Sequence, residues 1–340
     1  MSDLSKKILL LVMSSLIALI AGEVILRAIG YGTITPELNF GVNTKLSLDR
    51  GQFAADPDLF WVLPPHALDK QVRAVQPNTP VPPKGSARRV LVLGDSCSKI
   101  SQKIFPYSAL LEDSLGSDVE VWNAAVPGYT SWQGKVWLQK QLLAMRPDVA
   151  VIYFGWNDHW RSTGIADVDY AEQQKPGSLK LLRLLQDSPE ESPLRVSLAQ
   201  YKANLSSMVA DLNAQGTRVI LVAAPSHLTA EARRLLVTTG YMLPTDNAVT
   251  LHRDYLMVVK QVADDTDAVM LNASGLFARL DAPTQLIMRD GIHLTDRGHQ
   301  VMASVLAEAC GAALIGGPVA TGAELAKRAS DAFPAVKEGQ

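Results

Sequence analysis

Five short apolar runs, spaced along the middle of the chain, constrain the fold more than any other feature of the sequence. They cover residues 89–94, 119–123, 148–154, 218–223 and 268–272. Short apolar runs of this kind, bounded by turn residues, are typical of buried parallel strands. Helical stretches cover residues 201–213, 255–264 and 298–314. This alternation predicts a parallel, doubly wound α/β sheet with helices on both faces.

The first of these strands leads directly into Ser96. Ligands of open α/β sheets bind beyond the carboxyl ends of the strands, which is where Ser96 falls. Near the other end of the chain, Asp290 stands three residues before His293. Because a serine nucleophile needs a histidine base and an acid that orients it, we predict Ser96, His293 and Asp290 as a catalytic triad. Taken alone, Asp95-Ser96 also suits an ordinary helix N-cap.

Two more strands end close to residues that can stabilise an oxyanion. Gly128 follows the second strand and Asn157 follows the third. Acyl transfer needs hydrogen-bond donors aimed at the developing negative charge. The N–H groups of Ser96 and Gly128 and the amide of Asn157 are therefore candidate donors. Each block alone has a structural alternative, a turn for Gly128 and a helix start for Asn157, but the ordered set is more specific.

The complete set resembles a known family. Gly94-Asp95-Ser96, Gly128, Gly155-Trp156-Asn157-Asp158 and Asp290-Gly291-Ile292-His293 are similar to the four blocks of the SGNH (GDSL-type) hydrolases, in their membrane-anchored bacterial type. The resemblance implies a flavodoxin-like three-layer α/β/α sandwich. It also implies a Ser96, His293, Asp290 triad and an oxyanion hole of Ser96, Gly128 and Asn157. Cys97 stands where the family has leucine; as an alternative nucleophile it is less favoured, because Ser96 already matches the motif.

Composition narrows the class of protein further. The 340 residues are 47% hydrophobic, which is enough for one sizeable domain. A net charge of −2 gives no reason to expect a nucleic-acid partner. The two cysteines, Cys97 and Cys310, do not indicate a disulfide framework. Because the histidines lack metal-ligand spacing, we expect neither a metal site nor a cofactor.

The N-terminus predicts a membrane anchor in residues 1–30. Lys6-Lys7 precede an apolar or small run at 8–22, which continues past Glu23 and closes at Arg27. About 20 residues suffice to span a bilayer, and Leu19 and Ala21 make a poor cleavage site for a signal peptide. We therefore predict an uncleaved single-pass anchor, with a buried core helix as the alternative. The lysines favour a cytoplasmic N-terminus, which places the catalytic domain on the extracytoplasmic, periplasmic side.

The rest of the chain divides into three predicted regions, the second of which contains an insertion. Residues 31–87 contain eight prolines and are predicted to be an extended linker near the membrane, with one packed piece at 59–63. Residues 88–315 are the predicted hydrolase domain. Within it, residues 160–193, with a helical piece at 179–185, are predicted to be an insertion that acts as a lid or specificity loop. Residues 316–340 are predicted to be a flexible tail.

The function that the resemblance implies is that of a serine esterase, which hydrolyses ester-linked acyl groups, acetyl above all, from small molecules or glycans. An O-acyltransferase with the same residues and a surface glycan as acceptor is one alternative. A catalytically idle, membrane-tethered glycan-binding protein is another, since fold alone does not decide function. The sequence assigns no role to His159, His227 or Arg195. His299, at a helix start, is predicted to be a packing or capping residue.

Overall fold

The computed structural model describes residues 2–29, 40, 47–64, 73–174, 179–181, 192–280 and 283–319. A two-stranded hairpin, β1 (Ala54–Asp56) and β2 (Phe60–Val62), precedes the central sheet. The sheet consists of β3 (Arg88–Gly94), β4 (Val119–Ala125), β5 (Val149–Tyr153), β6 (Arg218–Val222) and β7 (Val269–Leu271). All its pairings are parallel, in the order β4-β3-β5-β6-β7. The predicted parallel sheet is therefore confirmed.

Helices cover both faces of this sheet. They are α1 (Asp3–Ala28), α2 (Ser96–Lys99), α3 (Tyr107–Leu115), α4 (Ser131–Lys140), α5 (Asp167–Gln174), α6 (Leu198–Asn213), α7 (Ala230–Thr238), α8 (Ala248–Asp265), α9 (Ala273–Phe277) and α10 (Asp296–Leu314). Short 3₁₀ helices span Leu142–Met145 and Pro283–Gln285. Helices α3 and α10 pack on one face, and α4, α6 and α8 pack on the other. This is the predicted three-layer sandwich.

The burial of β3 explains why residues 90–93 are apolar without interruption. Val90 and Val92 point into the core on the α3–α10 side, whereas Leu91 and Leu93 point into the core on the other side. All four are at most 1% exposed. A strand covered on both faces needs apolar residues at every position, and an alternating pattern would bury polar groups.

The strand order fixes where a ligand can bind. In chain order the five strands lie 2-1-3-4-5, so the chain turns one way from β3 to β4 and the other way to β5. Ligands of flavodoxin-like sheets bind at this reversal, beyond the carboxyl ends of the strands. Ser96 follows β3 and Asn157 follows β5, so both lie at this position.

The segment between the predicted anchor and the sheet is packed on the domain where the structure describes it. Phe60 and Trp61 of β2 are completely buried, and Phe40 and Val75 are nearly so. The ring of Phe60 stacks on Trp132 of α4 at a centroid distance of 4.9 Å. Residues 31–39, 41–46 and 65–72 of the predicted linker lie outside the described residues.

Helix α1 is long and apolar enough to cross a membrane, and none of its residues is buried. A signal sequence has the same features. Glu23, near its C-terminal end, pairs with Arg27 and accepts the backbone N–H groups of Lys180 and Leu181 at 3.0 and 2.9 Å. The end of α1 therefore contacts the predicted insertion. The rest of the predicted helix at 179–185 and the tail from residue 320 lie outside the described residues.

Candidate active site

Ser96 is the first residue of α2, directly after β3. Asp95 caps this helix, because its Oδ1 accepts the backbone N–H of Cys97 at 2.9 Å. Gly94 makes the sharp turn possible: a Cβ there would lie 2.6 Å from Ser98 Oγ and 2.9 Å from the Tyr153 carbonyl oxygen. The turn leaves Ser96 8% exposed, at the bottom of a cavity.

The structure brings together the three side chains that the sequence predicts as a triad. His293 Nε2 lies 2.9 Å from Ser96 Oγ, and His293 Nδ1 lies 2.6 Å from Asp290 Oδ2. Burial raises the pKa of Asp290, but hydrogen bonds from the His293 ring and from the backbone N–H groups of Ile292 and His293 outweigh it and leave the pKa below its usual value. In this geometry an ionised Asp290 accepts the N–H at Nδ1 of His293, and Nε2 faces the hydroxyl of Ser96, which is the arrangement that a serine triad requires.

Gly128 and Asn157 lie on the same cavity, which has a volume of about 220 Å³. Ser96 and His293 line it as well. The rest of the lining combines four aromatic residues with two other apolar and three polar ones: Phe40, Phe53, Trp160, Tyr241, Ile100, Pro127, Ser47, Arg161 and Arg195. The cavity therefore offers an apolar surface beside a nucleophile, as ligand sites commonly do.

The amide of Asn157 is already engaged. Its Nδ2 donates to Asp95 Oδ2 at 2.8 Å and to the Tyr129 carbonyl oxygen at 3.0 Å. Burial raises the pKa of Asp95 to about 6, against opposing hydrogen bonds from Cys97 and Asn157. At neutral pH, Asp95 is therefore mostly ionised and fixes the amide. An oxyanion would have to compete with the Tyr129 carbonyl for the second N–H.

Arg195, to which the sequence assigns no role, contacts the loop that carries Gly128. Its Nη1 donates to the Gly128 carbonyl oxygen at 2.7 Å. Two hydrogen bonds to Asp167, at 3.0 and 2.9 Å, and one to Gln133 fix the guanidinium group, which is almost fully buried. Sequence reasoning had no signal for this contact, because it joins residues 67 positions apart.

The other candidate histidines are not among the residues that line this cavity. His159 is buried and pairs with His252, with 3.2 Å between His159 Nε2 and His252 Nδ1. His227 meets the Asp290 turn through its backbone N–H, which donates to the Gly291 carbonyl at 3.0 Å. His299 accepts the Tyr107 N–H at Nδ1 and donates from Nε2 to the Ile100 carbonyl, so it packs and caps as expected.

Cys97, the alternative nucleophile, is completely buried, and its Sγ faces the Ile292 carbonyl at 3.9 Å. Burial raises the pKa of its thiol well above the usual value. A buried thiol of this kind is inert, because the thiolate is the nucleophile. Within the described ranges, His, Cys, Asp and Glu side chains form no group of three that could hold a metal ion.

Solved structures of acyl hydrolases resemble this chain. The acetylxylan esterase from Geobacillus stearothermophilus has a TM-score of 0.46 at 20% identity, over 70% of this chain and 98% of that one. The lipase/acylhydrolase from Enterococcus faecalis has a TM-score of 0.45 at 19% identity, over 65% and 93%.

Known proteins and a family model match it by sequence. The isoamyl acetate-hydrolyzing esterase 1 homolog of Mus musculus is 28% identical over 222 residues, which cover 63% of this chain and 78% of the relative. Its Bos taurus counterpart is 27% identical over 225 residues, which cover 64% and 79%. Residues 92–301 match the model of the GDSL-like lipase/acylhydrolase family. Because this match spans more than half of the chain, the protein belongs to the GDSL-like lipase/acylhydrolase family of ester hydrolases.

Proposed function

We propose that this protein is a serine esterase that removes short acyl groups, acetyl above all, from small-molecule or glycan esters. The observation that carries the proposal is the continuous chain of contacts from Asp290 through His293 to Ser96, at 2.6 and 2.9 Å, which ends at the cavity. A short acyl group suits a cavity of about 220 Å³. The word acetate in the names of the mammalian relatives supports the same choice.

The proposed reaction has two halves. His293 takes the proton of Ser96 while Ser96 Oγ attacks the ester carbonyl, and His293 then protonates the departing alcohol. Water attacks the acyl-enzyme with His293 again as base, and the acid and free Ser96 are released. In both halves the oxyanion accepts hydrogen bonds from the N–H groups of Ser96 and Gly128 and from one N–H of the Asn157 amide. That N–H gives up its bond to the Tyr129 carbonyl to do so.

We further propose that α1 anchors the enzyme, with the lysine pair on the cytoplasmic side and the catalytic domain on the extracytoplasmic side. Trp160 and Arg161, at the start of the predicted insertion, line the cavity beside Ser96. Their position supports a role for residues 160–193 in substrate access.

The test is p-nitrophenyl acetate hydrolysis by the full-length protein in detergent, compared with Ser96→Ala and Cys97→Ala. We expect Ser96→Ala to lower kcat by about 10⁶-fold, as loss of a nucleophile does. Cys97→Ala should retain most of the activity. Equal rates in the wild type and Ser96→Ala would contradict the proposal. Acetyl transfer to an added oligosaccharide in preference to water would indicate an O-acyltransferase.

A further inference from the structure

The N–H group of Gly128 belongs to the peptide group that joins Pro127 to Gly128. A trans peptide is planar, with its N–H and C=O pointing in opposite directions, so a donor that holds the carbonyl also aims the N–H. The indole Nε1 of Trp61 donates to the Pro127 carbonyl oxygen at 3.1 Å. Trp61 therefore holds the carbonyl of the peptide group whose N–H is the proposed oxyanion donor.

The next peptide group along the chain is held in the same manner. Its carbonyl, that of Gly128, accepts Nη1 of Arg195 at 2.7 Å. Arg195 also lies over the ring of Trp61, with 5.5 Å between the guanidinium carbon and the ring centroid. The buried side chains of Trp61 and Arg195 thus fix two successive carbonyls of the Gly128 loop, and the two side chains also contact each other.

The position of Trp61 is itself fixed, and its indole ring fills the space that a Cβ on residue 128 would need. It is completely buried, and its carbonyl accepts the hydroxyl of Tyr129 at 2.7 Å. Gln133 of α4 donates to the carbonyl of Leu59 at 2.8 Å, which ties the start of β2 to the same region. A Cβ on Gly128, whose φ is +81°, would lie 3.0 Å from Cζ2 of Trp61.

From these contacts we infer that Trp61 is a positioning residue of the oxyanion hole and acts through the Pro127–Gly128 peptide group, with Arg195 as its partner. Trp61 lies before residues 92–301, which match the family model. The hairpin β1–β2 therefore completes the active site from outside the family domain. This inference rests on the proposed esterase function.

The test substitution is Trp61→Phe, which keeps an aromatic side chain at this position and removes the N–H donor. Trp137→Phe is the matched control: Trp137 is also buried, and its Nε1 donates to Oε1 of Gln141, the residue that follows α4, at 2.9 Å. A misplaced reacting group can cost about 100-fold, so we expect Trp61→Phe to lower kcat on p-nitrophenyl acetate by about 10- to 100-fold. KM should stay within about threefold, because the oxyanion exists only in the transition state.

A second readout is the rate at which a fluorophosphonate labels Ser96, because that reaction also builds negative charge on an oxygen in the oxyanion hole. Trp61→Phe should slow the labelling as much as it lowers kcat, whereas Trp137→Phe should change neither rate. An active wild type with equal kcat values in the two variants, or a loss confined to KM, would overturn the inference alone. A wild type that neither turns over ester nor reacts with the probe would instead contradict the proposed function.

Discussion

At the scale of single residues, Asn157 links the nucleophile turn to the loop that carries Gly128. One hydrogen bond of its amide goes to Asp95, the neighbour of Ser96, and the other goes to the carbonyl of Tyr129, the neighbour of Gly128. The side chain is therefore oriented before substrate arrives, which lowers the cost of ordering it in the transition state. In the reaction that we propose, only the second of these bonds is exchanged for a bond to the oxyanion.

Replacing Asn157 by alanine tests whether this amide is an oxyanion donor. As an oxyanion donor, Asn157 should contribute about 10²- to 10³-fold to kcat. Asn204→Ala is the control, since Asn204 is also buried and donates to Ser131 Oγ at 3.0 Å, away from the cavity. Steady-state kinetics on p-nitrophenyl acetate give the answer. A decrease in kcat of less than tenfold in Asn157→Ala would mean that the amide only holds Asp95 in place.

The five predicted site residues were accessible to sequence reasoning because each lies in a short motif or directly after a strand. Ser96 follows β3, and Asp290 and His293 share one turn. Trp61 and Arg195 gave no such signal, because their contacts with the Gly128 loop span 66 and 67 positions of the chain. Contacts of that length depend on the whole fold, and no local pattern encodes them.

At the scale of elements, the turn between Asp290 and His293 depends on Gly291. Gly291 has a φ of +79°, in the left-handed region that favours glycine. A Cβ there would lie 2.9 Å from the His227 carbonyl oxygen and 2.9 Å from the Cβ of Ala232. Neither atom belongs to a flexible side chain that could move aside, so an alanine would displace the turn.

Gly291→Ala should therefore lower both stability and kcat. Gly216→Ala is the matched control, since Gly216 has a φ of +78° and open space where a Cβ would be. Both variants should lose about 1 kcal/mol or more of unfolding free energy from backbone strain. Only Gly291→Ala should also lose turnover, because it moves His293 relative to Ser96. Equal kcat values in the two variants would contradict this view of the turn.

The strands show which elements a sequence specifies well. The five sheet strands were predictable to within about two residues. The signal is strongest for β3, β5 and β6, which are buried on both faces and apolar at nearly every position. The hairpin β1–β2 was predicted only as a packed piece at 59–63. Its neighbours are prolines and polar residues, and Phe60 adopts a φ of +70°, which a residue pattern does not reveal.

At the scale of the whole molecule, buried ionisable groups make stability depend on pH. Burial raises the pKa of Asp158 to about 7 and that of Asp95 to about 6, both from an ordinary value of 3.8. Between pH 3.8 and these raised pKa values, the folded protein holds protons that the unfolded chain has released. The free energy of unfolding therefore falls as pH rises from about 4 to 7. Burial lowers the pKa of His252 to about 4, so its contribution is lost instead as pH falls below 6.5.

Asp158→Asn should isolate the first effect. Its stability relative to the wild type should increase between pH 4 and pH 7, by at most about 1.4 kcal/mol per pH unit. Asp118→Asn should change in the opposite direction as pH rises through 3.8, because the hydrogen bond from Arg88 lowers the pKa of Asp118. Urea unfolding at several pH values measures both. A constant difference between Asp158→Asn and the wild type would refute the buried-carboxyl assignment.

The position of β2 between α1 and the sheet has a consequence for how the enzyme could be regulated or lost. Suppose that Trp61 orients the Pro127–Gly128 peptide group as inferred above. A protease that cuts between Val62 and Arg88 would then release the family domain, while the hairpin stays covalently attached to α1. The released domain would carry Ser96, His293 and Asp290 but would lack the covalent link to Trp61, whose hydrogen bond holds the Pro127–Gly128 peptide group. Shedding would then act as inactivation, and if α1 is the anchor that we propose, the esterase would work only close to the membrane.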